Sequence, residues 1–244
     1  MTSSARFWDR IAARYARQPV PDEAVYQRKL QITRENLRLD MDVLEFGCGT
    51  GTTAVSHAPF VRRIHGIDCS SKMIDIARSR ANAAGVENAT FDVATIEDYS
   101  ADNGSFDAVL GLNVLHVVDD WKGAIRKVHR LLKPGGVFVS STSCVGGWMQ
   151  LFRPVFVVGS YFDLIPNVQF IKARDLEEEM KNAGFVIQHH REPDDGRTSF
   201  VVAKKTITRL RRFREGAFRL PFFQLHLQRA FWPVVIRSSR QRNR

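Results

Sequence analysis

An apolar run, Val43-Leu44-Glu45-Phe46, breaks into glycines spaced two apart in Gly47-Cys48-Gly49-Thr50-Gly51, and a second run ends in Gly66-Ile67-Asp68. Glycines at such a break let the backbone approach a ligand without side-chain obstruction. They also accept the positive φ that a tight strand-to-helix turn needs. An acid at the tip of the next strand stands where the two hydroxyls of a ribose bind. The pattern predicts a strand–turn–helix–strand unit that holds an adenosine-containing cofactor.

The rest of the chain extends that unit. Asp42–Phe46, Ile64–Asp68, Thr90–Val93, Phe106–Gly111 and Val137–Thr142 read as strands. Helices are expected over Thr52–Ala58, Ser70–Ala84 (closed by Gly85), Asp120–Leu132 and Leu176–Ala183 (closed by Gly184). Lys133-Pro134-Gly135-Gly136 reads as a sharp turn, because Pro ends a helix and the glycines permit reversal. Alternation of this kind means a mostly parallel, doubly wound sheet with helices on both faces. Phe185–Arg191 and Thr198–Lys204, joined by Pro193-Asp194-Asp195-Gly196, read as an antiparallel C-terminal hairpin. Residues 1–40 read as helical, with Phe7, Trp8, Ile11, Ala12 and Tyr15 on one face and Asp22 as the cap of a second helix reaching about Leu39.

Glycine spacing selects among cofactors. A dinucleotide fingerprint is G-x-G-x-x-G, which seats a pyrophosphate on a helix N-terminus. Here the spacing is G-x-G-x-G with Glu45 just ahead, and a carboxylate there repels a pyrophosphate but attracts a cationic amino-acid end. The P-loop is excluded, because Thr52-Thr53 rather than Lys follows Gly51.

The string E-F-G-C-G-T-G followed by G-I-D resembles the class I S-adenosylmethionine-dependent methyltransferases, over roughly residues 7–205. The resemblance implies a Rossmann-like fold and S-adenosyl-L-methionine as cofactor. Glu45, Gly47, Cys48, Gly49 and Gly51 would form the first cofactor turn, with Asp68 and Cys69 in the second. Met73 would pack against the adenine. Thr95 stands where relatives carry an Asp that binds the adenine amino group, which is a departure, and the Ile96 amide is placed to meet a ring nitrogen. Leu112-Asn113-Val114-Leu115-His116 would line the methionine end and the acceptor face, with His116 a candidate base. F-W-D-R-I-A-A-R-Y-A is similar to an N-terminal lid, making Tyr15 a candidate near the methyl donor. Each residue has a plainer reading: Asp68 as a helix cap, Met73 as core, His116 as a structural histidine. No metal cluster, nucleophilic triad or paired carboxylate is visible in the sequence.

The acceptor must be read from the variable parts. Residues 146–170 fall where relatives insert a lid, and Trp148, Phe152, Phe156, Tyr161 and Phe162 there suit an apolar or aromatic acceptor as well as they suit plain core. The tail, residues 206–244, holds ten arginines against one acid, Glu215, and so carries +9 of the net +10. Interleaved Phe and Leu make it resemble an interfacial segment drawn to anionic lipid, although nucleic acid would use the same arginines. Cys48, Cys69 and Cys144 are scattered and odd in number, and no apolar h-region opens the chain. A cytoplasmic protein, peripheral at the inner membrane, is the expectation. The domain division is thus 1–205 and 206–244. Methyl transfer to a small apolar, aromatic or lipid-like acceptor is the leading reading. An RNA methyltransferase is the rival in the same class, disfavoured because G-L-N-V replaces an N-P-P-[YF] tetrapeptide after the fourth strand. A non-catalytic peripheral membrane protein is the rival from another class.

Overall fold

A computed structural model describes residues 3–144, 165–191 and 198–206. The chain divides into Met1–Thr208 and Arg209–Arg244, and the second unit lies outside the described residues. So do the aromatic run of the expected lid and the expected hairpin turn at 193–196.

Seven strands form one sheet. They are β1 (Asp42–Phe46), β2 (Arg63–Asp68), β3 (Ala89–Val93), β4 (Phe106–Leu112), β5 (Leu132–Ser143), β6 (Phe185–Arg191) and β7 (Thr198–Lys205). Their order is β3-β2-β1-β4-β5-β7-β6. The first five run parallel, and β7 pairs antiparallel with both β5 and β6. The helices are α1 (Ser3–Tyr15), α2 (Glu23–Arg34), α3 (Thr52–His57), α4 (Ser71–Ala83), α5 (Trp121–Leu131) and α6 (Ala173–Asn182). This is the expected doubly wound α/β sheet with an antiparallel finish.

Local chemistry sets the helix ends. Asp22, Ser70 and Asp120 cap α2, α4 and α5 by accepting from the amides of Val25, Met73 and Gly123. Gly85 and Gly184, after α4 and α6, take positive φ of 64° and 97°, which release the chain into the following strand region. The second helix is shorter than its pattern suggested: it stops at Arg34, and Asn36 Nδ2 turns back to the Ile32 carbonyl. The sharp turn expected at residues 133–136 is a bulge inside β5. Leu132 already pairs with Phe106 and Val137 with Ala108, so residues 133–136 stand opposite Asp107 alone. Gly135 has φ +78° there, and Lys133 Nζ holds Asp107 Oδ2 at 2.8 Å.

Two apolar layers sandwich the sheet. Leu44, Phe46, Val109 and Phe138 pack on one face with α5 and α6, and Val43, Ile64, Ala108 and Val139 pack on the other with α3 and α4. Each large side chain so buried contributes roughly 1.5–3 kcal/mol over its exposed state. Every residue of β1 is buried, as expected of a central parallel strand covered on both sides. The strand order reverses between β1 and β4, and that crevice is where such sheets bind ligands.

Candidate active site

Over the carboxyl ends of β1, β2 and β4 lies a cavity of about 1350 Å³. Tyr15, Glu45, Gly47, Cys48, Gly49, Asp68, Cys69, Met73, Thr95, Ile96 and Asn113 all line it. Gly51 and His116 do not.

The glycine loop explains its own composition. Gly47 has φ +63°, and a Cβ on it would lie 2.1 Å from Val114 Cγ2. Gly49 has φ +51° with nothing within 4 Å of its Cβ position, so its face is open to the cavity. Gly51 caps α3 with φ +73° and abuts Ala77, where a Cβ would come within 2.7 Å. Gly51 therefore serves helix packing rather than ligand approach. The turn is held by Cys48 N to Ile67 O at 3.0 Å. Arg80 braces it from α4: its Nη1 donates to Thr50 O at 2.5 Å, to Thr50 Oγ1 at 2.7 Å and also to Thr52 Oγ1.

Asp68 receives the Gly49 amide at 3.0 Å and the Ser70 amide at 2.9 Å, so it ties the two cofactor turns together. The helix-cap role belongs to Ser70, whose Oγ accepts from Met73 N at 3.1 Å. Burial pushes the Asp68 carboxyl above its ordinary value despite those two amides.

Two acids on β1 make an instructive pair. Asp42 is buried, and burial opposes its charge, yet Arg62 and Arg63 both donate to it and hold its pKa below the ordinary value. Glu45 is 2% exposed, and its Oε2 has no hydrogen-bond partner among the described residues. Burial, with the neighbouring Asp68 charge, raises it to about 8. An orphaned, desolvated carboxylate facing a cavity calls for a cationic or donating ligand. The ammonium of a bound amino acid fits that need, as a ribose fits Asp68.

The remaining predicted residues divide by surroundings. Met73 is 2% exposed and belongs to both core and cavity wall. Ile96 is buried and also lines the cavity. Thr95 uses its hydroxyl locally, donating to Asp98 Oδ2 at 3.0 Å and accepting from Asp98 N at 3.1 Å. Asn113 has φ +57° and accepts from Ser141 Oγ at 3.2 Å. Burial lifts the Cys48 thiol, and it lifts the Cys69 thiol to about 12, so both stay protonated. His116 has no partner on Nδ1, and burial lowers its pKa to about 4, leaving it neutral near pH 7. Its backbone carbonyl accepts from Gln169 N at 2.7 Å.

Tyr15 stacks edge-on against Trp8, with ring centroids 6.1 Å apart. Burial, then the Asp68 charge, then Tyr26 raise its pKa. Lining residues that sequence patterns did not reveal include Tyr26, Lys29, Arg80 and Ser141. Lys29 Nζ donates to Ser141 Oγ at 3.0 Å across 112 residues of chain, a pairing that no local pattern announces.

Residues 43–136 match the family model of a methyltransferase domain. An uncharacterized methyltransferase, YcgJ of Bacillus subtilis (strain 168), is 34% identical over 110 residues, covering 45% of this chain and 44% of that protein. A ubiquinone biosynthesis O-methyltransferase of Xanthomonas axonopodis pv. citri (strain 306) is 32% identical over 153 residues, covering 60% and 63%. The chain thus spans less than two thirds of these relatives' own length. Among solved structures, geranyl diphosphate C-methyltransferase from Streptomyces coelicolor A3(2), in complex with S-adenosyl-L-homocysteine, shares the fold with a TM-score of 0.60. Its identity is 18%, over 75% of this chain and 76% of that one. Residues 43–136, which hold the glycine loop and Asp68, thus match the methyltransferase-domain family. S-adenosyl-L-methionine is the cofactor of that family.

Proposed function

We propose that the protein transfers a methyl group from S-adenosyl-L-methionine to a small acceptor with an apolar or aromatic body. The observation that carries this reading is Glu45, a buried carboxylate whose Oε2 has no partner among the described residues, beside Asp68 and the open face of Gly49 in one cavity. When bound, the sulfonium supplies an activated methyl group, so that a carbon–sulfur bond breaks as the acceptor's bond to carbon forms. The protein's own share is binding, alignment and exclusion of water, which provide most of the acceleration in such a transfer. Glu45 would hold the amino-acid end and Asp68 the ribose. Met73 and Ile96 would pack around the adenine, and Tyr15 would close over the methyl donor. The small-molecule acceptor is supported by the ubiquinone O-methyltransferase relative.

Calorimetry with S-adenosylhomocysteine tests the reading. Micromolar binding that Asp68→Ala weakens by about a hundred-fold is expected, since two ribose hydrogen bonds to a charged group are lost. A well-folded protein that binds none would sink it.

The two-part organisation, 1–205 with a basic tail at 206–244, extends the proposal to an anionic membrane surface as partner. Ten arginines interleaved with Phe and Leu support this. No helix among the described residues is long and apolar enough to cross a membrane. Flotation with anionic liposomes, with and without residues 206–244, separates the possibilities, and equal flotation of both forms refutes the anchor.

A further inference from the structure

At about 1350 Å³ the cavity exceeds the roughly 300–1,000 Å³ typical of a single small-molecule site, so it has room for donor and acceptor together. Its acids stand beside the glycine loop (Glu45, Asp68), in the turn after β3 (Glu97, Asp98) and before α5 (Asp119, Asp120). The two cations among the described lining residues are Arg80 and Lys29. Arg80 is engaged with three oxygens of the loop itself. Lys29 is on α2 and reaches across to the end of β5.

The groups around Lys29 form a cluster of donors. Its Nζ donates to Ser141 Oγ at 3.0 Å, and the Ser141 hydroxyl donates onward to Asn113 Oδ1 at 3.2 Å. One turn earlier on the same helix face is Tyr26, whose phenol oxygen is buried without a hydrogen-bond partner among the described residues. Tyr26 also lies near enough to raise the Tyr15 pKa. A buried hydroxyl left unpaired costs about 1–3 kcal/mol, so a ligand acceptor at this spot recovers a real penalty. A carboxylate is acceptor-only, with two oxygens to share between an ammonium and a phenol. Charge favours it as well, because an anion beside Lys29 offsets the repulsion between that ammonium and a bound sulfonium.

We propose that Lys29 and Tyr26 form an anion subsite that binds a carboxylate on the methyl acceptor, making the acceptor an organic acid with an apolar or aromatic body. The proposal rests on the methyltransferase reading above. Its test is calorimetry on the full chain saturated with S-adenosylhomocysteine, with 3,4-dihydroxybenzoate and its isosteric amide, 3,4-dihydroxybenzamide, as probes. The acid is expected to bind about ten-fold or more tighter than the amide, the difference a charge-assisted pair makes. Lys29→Met should abolish that preference, Lys29→Arg should keep most of it, and Tyr26→Phe should reduce it several-fold. S-adenosylhomocysteine affinity reports folding in every variant and tests the methyltransferase reading separately. Equal binding of acid and amide, a preference that survives Lys29→Met, or binding of neither probe by protein that binds S-adenosylhomocysteine would each overturn the subsite.

Discussion

The strand-borne end of the cavity and its helix-borne end differ in what fixes them. At the tips of β1 and β2, Asp68 accepts from Gly49 and Ser70, Cys48 N donates to Ile67 O, and Arg80 braces Thr50. Positions there follow from the register of a buried parallel sheet. Across the cavity, Tyr15 on α1 and Tyr26 and Lys29 on α2 belong to helices outside that sheet. Side-chain bonds tie them across to the sheet side, Ser4 to Cys69 among them. Asp9 Oδ1 accepts from Ser70 Oγ at 2.6 Å and Lys72 N at 3.1 Å, and Lys29 meets Ser141. A common donor suits an end set by strand register, and a variable acceptor suits an end carried on helices outside the sheet.

The largest effect belongs to Gly47. Gly47→Ala forces a Cβ against Val114 at 2.1 Å in a left-handed backbone, and should cost at least about 3 kcal/mol in denaturant unfolding. Gly49→Ala has open space, so it should lose only about 1 kcal/mol of stability, the strain of its φ. It should nonetheless weaken S-adenosylhomocysteine binding, because its methyl enters the cavity. Equal losses in the two variants would break the distinction between a packing glycine and a binding glycine.

Glu45 comes next and separates stability from binding. Its pKa rises from an ordinary 4.5 to about 8 on folding. The folded chain therefore keeps a proton that the unfolded chain has shed, and stability declines as pH rises through that window, with the full loss above about 8. Glu45→Gln should match wild type at low pH and gain roughly 5 °C in Tm above pH 8. The same change should weaken S-adenosylhomocysteine by about ten-fold, since the ligand ammonium loses its charged partner. Wild-type affinity should climb toward pH 8 as Glu45 gives up its proton, and the variant should lack that slope. A variant that loses stability at pH 8 would refute the account of an unpaired buried charge.

The same contrast explains what could be read from the sequence. Strand tips, caps and glycine turns are local chemistry, so β1, β2, Ser70, Asp120, Gly85 and the Glu45–Asp68 pair were legible from neighbouring residues alone. The bulge at 133–136 was legible as a turn but not as part of β5, because pairing with Asp107 is decided across the sheet. Gly51 fitted the loop pattern, yet its neighbour is Ala77 of α4, which spacing cannot reveal. Lys29, Tyr26 and Ser141 were missed for a related reason. Tyr26 and Lys29 read as ordinary positions of an exposed helix until Ser141, 112 residues beyond Lys29, is brought beside it. His116 had the right place in the chain, but the 3₁₀ turn at Leu115–Val117 leaves it out of the cavity lining.

The smallest effect tests the helix-borne end directly. Asp9 bonds α1 to the cap of α4, and Ser70 in turn donates its amide to Asp68, so one chain of contacts runs from the helix-borne side of the cavity to the ribose acid. Asp9→Ala removes two hydrogen bonds at a partly exposed site and should cost about 1 kcal/mol overall. Its effect should be uneven. Amide exchange should speed up along α1, around Tyr15, while β1 and β2 keep their protection. Because Ser70 still caps α4 without Asp9, S-adenosylhomocysteine affinity should fall only a few-fold. Uniform loss of protection across the sheet would mean that α1 is part of the same rigid body as the glycine loop, and the division between a fixed donor end and an adaptable acceptor end would have to be abandoned.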